Sequence, residues 1–330
     1  MTGRGTILVT GGAGYIGSHT CKALARAGWT PVTYDNLCRG APASVKWGPL
    51  EEGDIGDERR LSEAIGRWRP VAVMHFAGYA YVGESMADPA MYYRNNVVSA
   101  LSMLDCMRSH ALNNIVFSSS CATYGVPDRL PIAETCPQRP INPYGRSKLM
   151  FEAVLDDFGR AYGLRWMALR YFNALGCDPE GEIGEAHDPE PHVLPRAIMA
   201  ARGASACFDV NGSDYGTDDG SAVRDYVHVS DLAEAHVTAL GYLLGGGDCR
   251  AVNLGLSRGY SVLELVKAVE RISGRSVPVR LGPRRPGDPP ALVADAALAR
   301  EILGFSPKYP ELEDMVAHAW RWFEAKGSPR

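Results

Sequence analysis

Tyr144 and Lys148 stand four residues apart in Tyr144-Gly145-Arg146-Ser147-Lys148. On a helix that spacing puts both side chains on one face. A phenol with a pKa near ~10 is a poor base at neutral pH, and a nearby ammonium favours its phenolate form. The pair then becomes a usable acid/base for an alcohol. A Tyr-x-x-x-Lys by itself more often marks a solvated helix face. Here Pro143 opens the helix and Ser120 ends a preceding strand, so the pair has company.

A site for a hydride acceptor is legible at the other end of the chain. Ile7-Leu8-Val9 is a short apolar run of the kind a buried parallel strand needs, and Gly11, Gly14 and Gly17 follow at once. A helix is expected over Ser18–Ala27, closed by Gly28. Strand, glycine turn and helix N-terminus in succession make a pyrophosphate site: the glycines allow close backbone approach, and the free N–H groups face the anion. A glycine triplet alone can be an ordinary tight turn; its context decides. A second strand over Pro31–Tyr34 ends at Asp35-Asn36, and an acidic residue there accepts from ribose hydroxyls and repels a 2′-phosphate. NAD is therefore expected over NADP, with Arg39 close enough to weaken the preference. The nicotinamide cation would reinforce Lys148 in lowering Tyr144, and Lys148 can hold the nicotinamide ribose.

The elements that must position these groups alternate. Helices are expected over Asp57–Trp68, Pro89–Arg108 and Asn142–Tyr162, and strands over Val71–Phe76, Asn114–Ser119 and Arg165–Tyr171. This is the rhythm of an α/β, doubly wound parallel sheet of Rossmann type, with ligands at the carboxyl ends of the strands. Those ends carry small or polar groups: Phe76-Ala77-Gly78, Ser118-Ser119-Ser120, and Tyr171-Phe172-Asn173. Gly53-Asp54-Ile55 falls where a third strand ends, and Asp54 can accept from an adenine amino group.

The 330 residues are 46% hydrophobic and 22% charged with a net charge of −4, an ordinary globular composition that gives no hint of nucleic acid or an anionic membrane. No apolar run approaches the ~20 residues of a membrane span, and the first strand begins too early for a signal peptide. Eight cysteines lack CxxC or CxxxH spacing, so neither a zinc site nor a disulfide framework is indicated. Reduced thiols and a cytoplasmic location are expected, with no metal.

Taken together, these residues resemble the extended short-chain dehydrogenase/reductase superfamily and, within it, the UDP-glucose (UDP-galactose) 4-epimerases. The likeness runs over nearly the whole chain, through Gly11 to Gly17, Asp35-Asn36-Leu37, Gly53-Asp54-Ile55, His75 to Gly78 with Val82 to Ser85, Tyr92-Tyr93 with Asn95-Asn96, Phe117 to Ser120, Tyr144 to Lys148, Leu169 to Asn173, and Val223 to His228. Some wording is similar to UDP-arabinose 4-epimerases. The resemblance implies Tyr144 as general base, Lys148 as its electrostatic partner and Ser120 as a hydroxyl on the sugar oxygen. It implies cofactor contacts from Gly11, Gly14, Tyr15, Ile16, Gly17, Asp35, Asn36, Asp54, Ile55, Phe76, Ala77, Gly78, Asn95, Ser118 and Tyr171. It places Asn173, His192, Val193, Arg224, Arg285, Asp288 and Leu292 around the UDP-sugar. It further implies tightly held NAD, a homodimer, and reversible oxidation at sugar C4 through a 4-keto sugar. Four positions depart from the family's pattern: Ala80 where a Lys is frequent, His192-Val193 for Asn-Leu, and Leu292 for a pocket Tyr.

Two parts follow from this reading. Residues 1–173 with about 222–258 form a nucleotide-binding part; about 174–221 with 259–330 form a smaller, discontinuous sugar-nucleotide part. Trp320 and Trp322 are expected in its core. A nucleotide-sugar dehydratase would need an Asp-Glu pair where Cys121 and Ala122 stand. A non-catalytic NAD sensor would not need Tyr144, Lys148 and Ser120 together.

Overall fold

The computed structural model describes residues 4–285 and 287–326. β1 (Thr6–Thr10) runs into α1 (Tyr15–Arg26), followed by β2 (Thr30–Asp35), β3 (Leu50–Glu52), α2 (Glu58–Trp68) and β4 (Ala72–His75). α3 (Val82–Ala87), α4 (Pro89–Tyr93) and α5 (Ala100–Ser109) precede β5 (Asn114–Ser120), and α6 (Pro143–Tyr162) precedes β6 (Arg165–Tyr171). Next come β7 (Asn173–Leu175), α7 (Val193–Ala201), β8 (Phe208–Asn211), β9 (Val223–Arg224), β10 (Tyr226–His228), α8 (Val229–Leu244) and β11 (Arg250–Leu254). β12 (Tyr260–Ser261), α9 (Val262–Ser273), β13 (Val279–Gly282), β14 (Ala291–Leu292), α10 (Ala297–Leu303) and α11 (Leu312–Ala325) follow.

Seven strands form one sheet in the order β11-β6-β5-β4-β1-β2-β3, and every pairing in it is parallel. Such strands are buried on both faces, which is why they read as unbroken apolar runs. Ile7 and Val9 face a core shared with α1, α8 and α10, through Leu24, Leu240 and Leu303. Leu8 faces the opposite core, shared with α2, α5 and α6 through Leu61, Met103 and Phe151. Each such fully buried aliphatic side chain contributes about 1.5–3 kcal/mol. The strand order reverses at β1, which lies between β2 and β4, and a crevice opens there at the carboxyl ends.

A separate core joins α7, β8, α9 and α11, with Leu194, Ile198, Phe208, Leu265, Val269 and Met315. Trp320 and Trp322 are buried in it, as their apolar surroundings require. α10 departs from the expected division: Ala299 and Leu303 pack on the sheet core beside Val252, not on the smaller core.

Two local differences bear on the site. Helix α1 begins at Tyr15, three residues before the expected Ser18, so that the glycine turn itself opens the helix. The expected helix over 89–108 is broken by a π-helical turn, Arg94–Ser99, between α4 and α5. Such an insertion rotates side chains relative to the flanking helix and recurs at functional sites. Here it leaves Asn96 buried while Asn95 lines the cavity described below. Among the described residues no helix is long and apolar enough to cross a membrane, and all eight cysteines are free thiols.

Candidate active site

A cavity of about 370 Å³ runs from the glycine turn across the carboxyl ends of the sheet to β9 and β14. At one end the turn is shaped for close approach. Gly11 has φ +73, and a Cβ there would stand 2.5 Å from the Ala77 nitrogen. A Cβ on Gly17 would stand 2.2 Å from the Gly11 carbonyl oxygen. Gly14 caps α1 with no side-chain hydrogen bond, so the first-turn N–H groups are not taken up by a capping side chain. Asp35 accepts from Ala13 N and Leu37 N, each at 2.9 Å, which orients its carboxylate at the end of β2. Burial pushes its pKa up, and the two N–H donors oppose that. Asp54 accepts from Asn36 Nδ2 at 2.8 Å and from Gly56 N at 2.8 Å. Arg39 is held away from a free role: its guanidinium pairs with Glu84 at 2.5 Å and lies over the rings of Tyr79 and Tyr81.

Tyr144 and Lys148 sit at the start of α6. Asn142 caps the helix by accepting from Gly145 N at 2.8 Å, and Pro143 occupies the first turn. Gly145 allows the helix to press on the turn after β5, since a Cβ there would come within 2.3 Å of the Ala122 carbonyl. That contact sets Tyr144 beside Ser120. Lys148 Nζ donates to the Ser118 carbonyl at 2.8 Å and lies 5.9 Å from the centroid of the Tyr144 ring. Asn96 braces the same helix: its Nδ2 donates to Ser147 Oγ at 3.0 Å and to the Tyr79 carbonyl at 2.9 Å.

Burial dominates the protonation of the pair. Burial pushes the Tyr144 phenol up to about 12, against a lowering by the Ser120 hydroxyl. Burial likewise pushes the Lys148 ammonium down to about 8, opposed by Glu152. Lys148 alone therefore does not hold Tyr144 as phenolate. Desolvation dominates because the pair is walled by β5, α6 and the aromatic rings around it.

The far end carries the polar groups of β7, β9 and the loops beside them. Asn173 Oδ1 is buried without a hydrogen-bond partner, and Asn173 lines the cavity. Arg224, nearly buried, pairs with Asp288 and donates to its neighbour's carbonyl, Val223 O, at 2.7 Å. Leu292, also buried, lies beside it on β14. His192 lines the wall opposite, where burial is outweighed by Glu185 and Glu190, which raise its pKa to about 10.

Of the residues singled out in the sequence, the structure brings together Gly11, Gly14, Tyr15, Ile16, Gly17, Asp35, Asn36, Asp54, Ile55, Phe76, Ala77, Gly78, Asn95, Ser118, Ser120, Tyr144, Lys148, Tyr171, Asn173, His192, Arg224, Asp288 and Leu292. Two do not join them. Arg285 is exposed and does not line the cavity. Val193 opens α7 and packs against the smaller core. Tyr81 and His187 line the cavity without having been proposed as contacts, and Arg39, expected near the cofactor, lines it too. Tyr81 adjoins the Val82 to Ser85 stretch, which was the signal available for it; His187 had none beyond its residue type.

A doubly wound sheet with a glycine turn and acidic strand end at its switch point, and a Tyr-x-x-x-Lys helix beside it, defines an NAD-binding enzyme of the extended short-chain dehydrogenase/reductase class. The model of the NAD dependent epimerase/dehydratase family matches residues 7–255. A UDP-glucose 4-epimerase of Rhizobium leguminosarum bv. trifolii is 51% identical over 317 residues, covering 96% of this chain and 97% of the relative. The structure of a UDP-glucose 4-epimerase from Brucella ovis in complex with NAD superposes with a TM-score of 0.94 at 56% identity, covering 96% of this chain and 98% of that one. A UDP-glucose 4-epimerase from Stenotrophomonas maltophila, solved with NAD and formylated UDP-arabinopyranose, gives a TM-score of 0.94 at 38% identity over 98% and 99% of the two chains. The chain belongs to the NAD dependent epimerase/dehydratase family, in its UDP-glucose 4-epimerase branch.

Proposed function

We propose that this chain interconverts UDP-glucose and UDP-galactose by NAD-dependent epimerisation at C4. The observation that carries the reading is the convergence of Tyr144, Lys148 and Ser120 on the cavity that joins the glycine turn to Asn173 and Arg224. The residues fit the cofactor: the turn has room for nothing bulkier than glycine at Gly11 and Gly17, and the Asp35 carboxylate is fixed where an adenosine ribose is held. When bound, NAD accepts a hydride and gives it back, so the isomerisation has no net redox change.

The chain's own groups do the rest. Tyr144 takes the proton of the sugar 4-hydroxyl and later returns it, while Ser120 hydrogen-bonds the same sugar oxygen. Lys148 supplies positive charge beside the phenol and a donor for the nicotinamide ribose. Arg224 and Asn173 hold the diphosphate end, for which a guanidinium fork is suited. Fixing the nucleotide while the sugar turns exposes both faces of C4 to one acid/base.

A dehydratase reading lacks its acid: Cys121 and Ala122 cannot protonate a C6 leaving group. Val98, Leu101 and Met150 stand exposed on the adjoining π turn, α5 and α6, which supports a homodimer. Free thiols throughout support a reducing, cytoplasmic location, and interconversion of UDP-galactose would place the enzyme in galactose metabolism. A coupled assay of UDP-galactose conversion, with NAD released on denaturation and counted against protein, tests the reading. Absence of both NAD and conversion in folded protein refutes it.

A further inference from the structure

The loop from Ile183 to His192 carries an alternation of carboxylates and imidazoles, Glu185, His187, Glu190 and His192, on the wall of the cavity. One ligand atom from each lies within 4.8 Å of the others. His192 Nδ1 stands 2.6 Å from Glu185 Oε1 and 2.9 Å from Glu190 Oε1, and His187 Nδ1 stands 3.3 Å from Glu185 Oε1 and 3.8 Å from Glu190 Oε2. A tetrahedral ion bonded at ~2.0–2.1 Å to nitrogen and oxygen requires donor–donor edges of about 3.3–3.4 Å, the middle of this set. Glu185 Oε1 and His187 Nδ1 are buried, yet neither makes a hydrogen bond of proper angle. The Glu185 side chain is only 5% exposed, so its orphaned oxygen points into the cluster and not to water.

The backbone holds this arrangement from behind. Gly184 lies flat on the Trp322 indole, where a Cβ would come within 2.6 Å of the ring, and Trp322 Nε1 donates to the Glu185 carbonyl at 3.1 Å. A neighbouring acidic cluster on the same loop serves as a contrast. Asp178, Glu180 and Glu182 surround Lys22 Nζ at 2.7, 2.9 and 2.5 Å, so that cluster already has its cation. The cluster at 185–192 has no lysine or arginine partner among the described residues; its carboxylates are balanced by the imidazoles of His192 and His187, whose protons a bound metal ion would displace.

We propose that Glu185, His187, Glu190 and His192 bind one divalent transition-metal ion of the zinc class, which clasps the 183–192 loop onto the cavity wall. Two imidazoles with two carboxylates suit zinc, whereas magnesium and calcium require more, all-oxygen ligands. Four protein donors close the coordination shell and leave no place for an activated water, so the ion is structural. It fixes the ring of His192, and with it the wall beside Tyr81. The site contains no cysteine, which is why cysteine spacing gives no sign of it.

The test uses the full-length protein with its own cofactor, stripped of metals by a chelator and then equilibrated with zinc alone. One zinc per chain retained through desalting, a melting temperature raised by zinc, and the intense visible bands of four-coordinate cobalt in its place are the expected results. A His187→Asn, Glu190→Gln double variant should weaken zinc binding by more than about tenfold. If that variant does not fold, the stoichiometry and cobalt spectrum of the parent decide alone. Zinc well below one per chain, pale six-coordinate cobalt bands, or unchanged binding by a folded double variant would overturn the site.

Discussion

The ammonium of Lys148 lies 5.9 Å from the ring centre of Tyr144, one helical turn away, while it donates a hydrogen bond to the Ser118 carbonyl at 2.8 Å. The lysine thus acts on the phenol through space and not through a direct hydrogen bond. Its anchorage on β5 ties the helix that carries Tyr144 to the strand that also presents Ser120.

Replacing Tyr144 by Phe should leave NAD bound and the fold intact but lower kcat by several orders of magnitude. Proton transfer contributes about 10²–10⁴-fold, and the loss of phenolate charge adds to it. The check is kcat beside the count of NAD released. Activity within a few-fold of the parent would remove Tyr144 from the mechanism.

Lys148→Met should move the activity optimum to higher pH, because Tyr144, already pushed up to about 12 by burial, loses its cationic neighbour. A second consequence concerns stability. Burial lowers Lys148 from 10.5 to about 8, so the cost of the buried ammonium is fully present below pH 8 and fades between 8 and 10.5. The stability of the variant relative to the parent, followed by thermal melts in the cofactor-free protein, should therefore decline across that window. A flat difference would contradict it.

Glu152 and Arg170 form an ion pair whose side chains are 6% and 7% exposed, with Arg170 Nε 3.0 and 3.2 Å from the two carboxylate oxygens. Arg170 also donates to the Tyr124 hydroxyl at 2.9 Å, which reaches Asn253 at 2.8 Å. The network locks α6 to β6 and β11 behind the active site. Arg170→Met strands the Glu152 charge and should cost about 3–5 kcal/mol, read from denaturant midpoints. A loss under 1 kcal/mol would mean that water reaches Glu152.

Leu292 is only 6% exposed and lines the cavity beside Arg224, where the proposed reaction places the sugar nucleotide. An apolar wall discriminates by only ~1–3 kcal/mol per methylene-sized difference, so substrate tolerance should be graded. We expect UDP-glucose and UDP-galactose to react best, UDP-xylose and UDP-arabinose as a genuine second pair, and UDP-N-acetylglucosamine weakly. Side-by-side kcat/KM values decide it. A pentose preference above about tenfold, or roughly 1.4 kcal/mol, would reverse the order while leaving the mechanism in place.

Local chemistry is legible in the residues themselves. Ile7 to Val9, the glycines behind them and Asp35 announce a strand, turn and acceptor because each obeys short-range rules of burial, backbone freedom and charge. The alternation of apolar runs with helical stretches likewise specifies a parallel sheet, and the spacing of Tyr144 and Lys148 specifies a shared face. What depends on through-space packing needed the tertiary structure. The π turn at Arg94–Ser99 is not read from the sequence; it lies where α4, α5 and α6 meet. Arg285 leaves the cavity, and α10 joins the sheet core, because loop paths follow the fit of distant surfaces. The upward shift of Tyr144 depends on how much water the assembled walls exclude, which residue identity does not encode. The clustering of Glu185, His187, Glu190 and His192 has the same origin: their spacing is visible in the chain, but their convergence requires Trp322, 130 residues downstream of His192, to hold the loop in place.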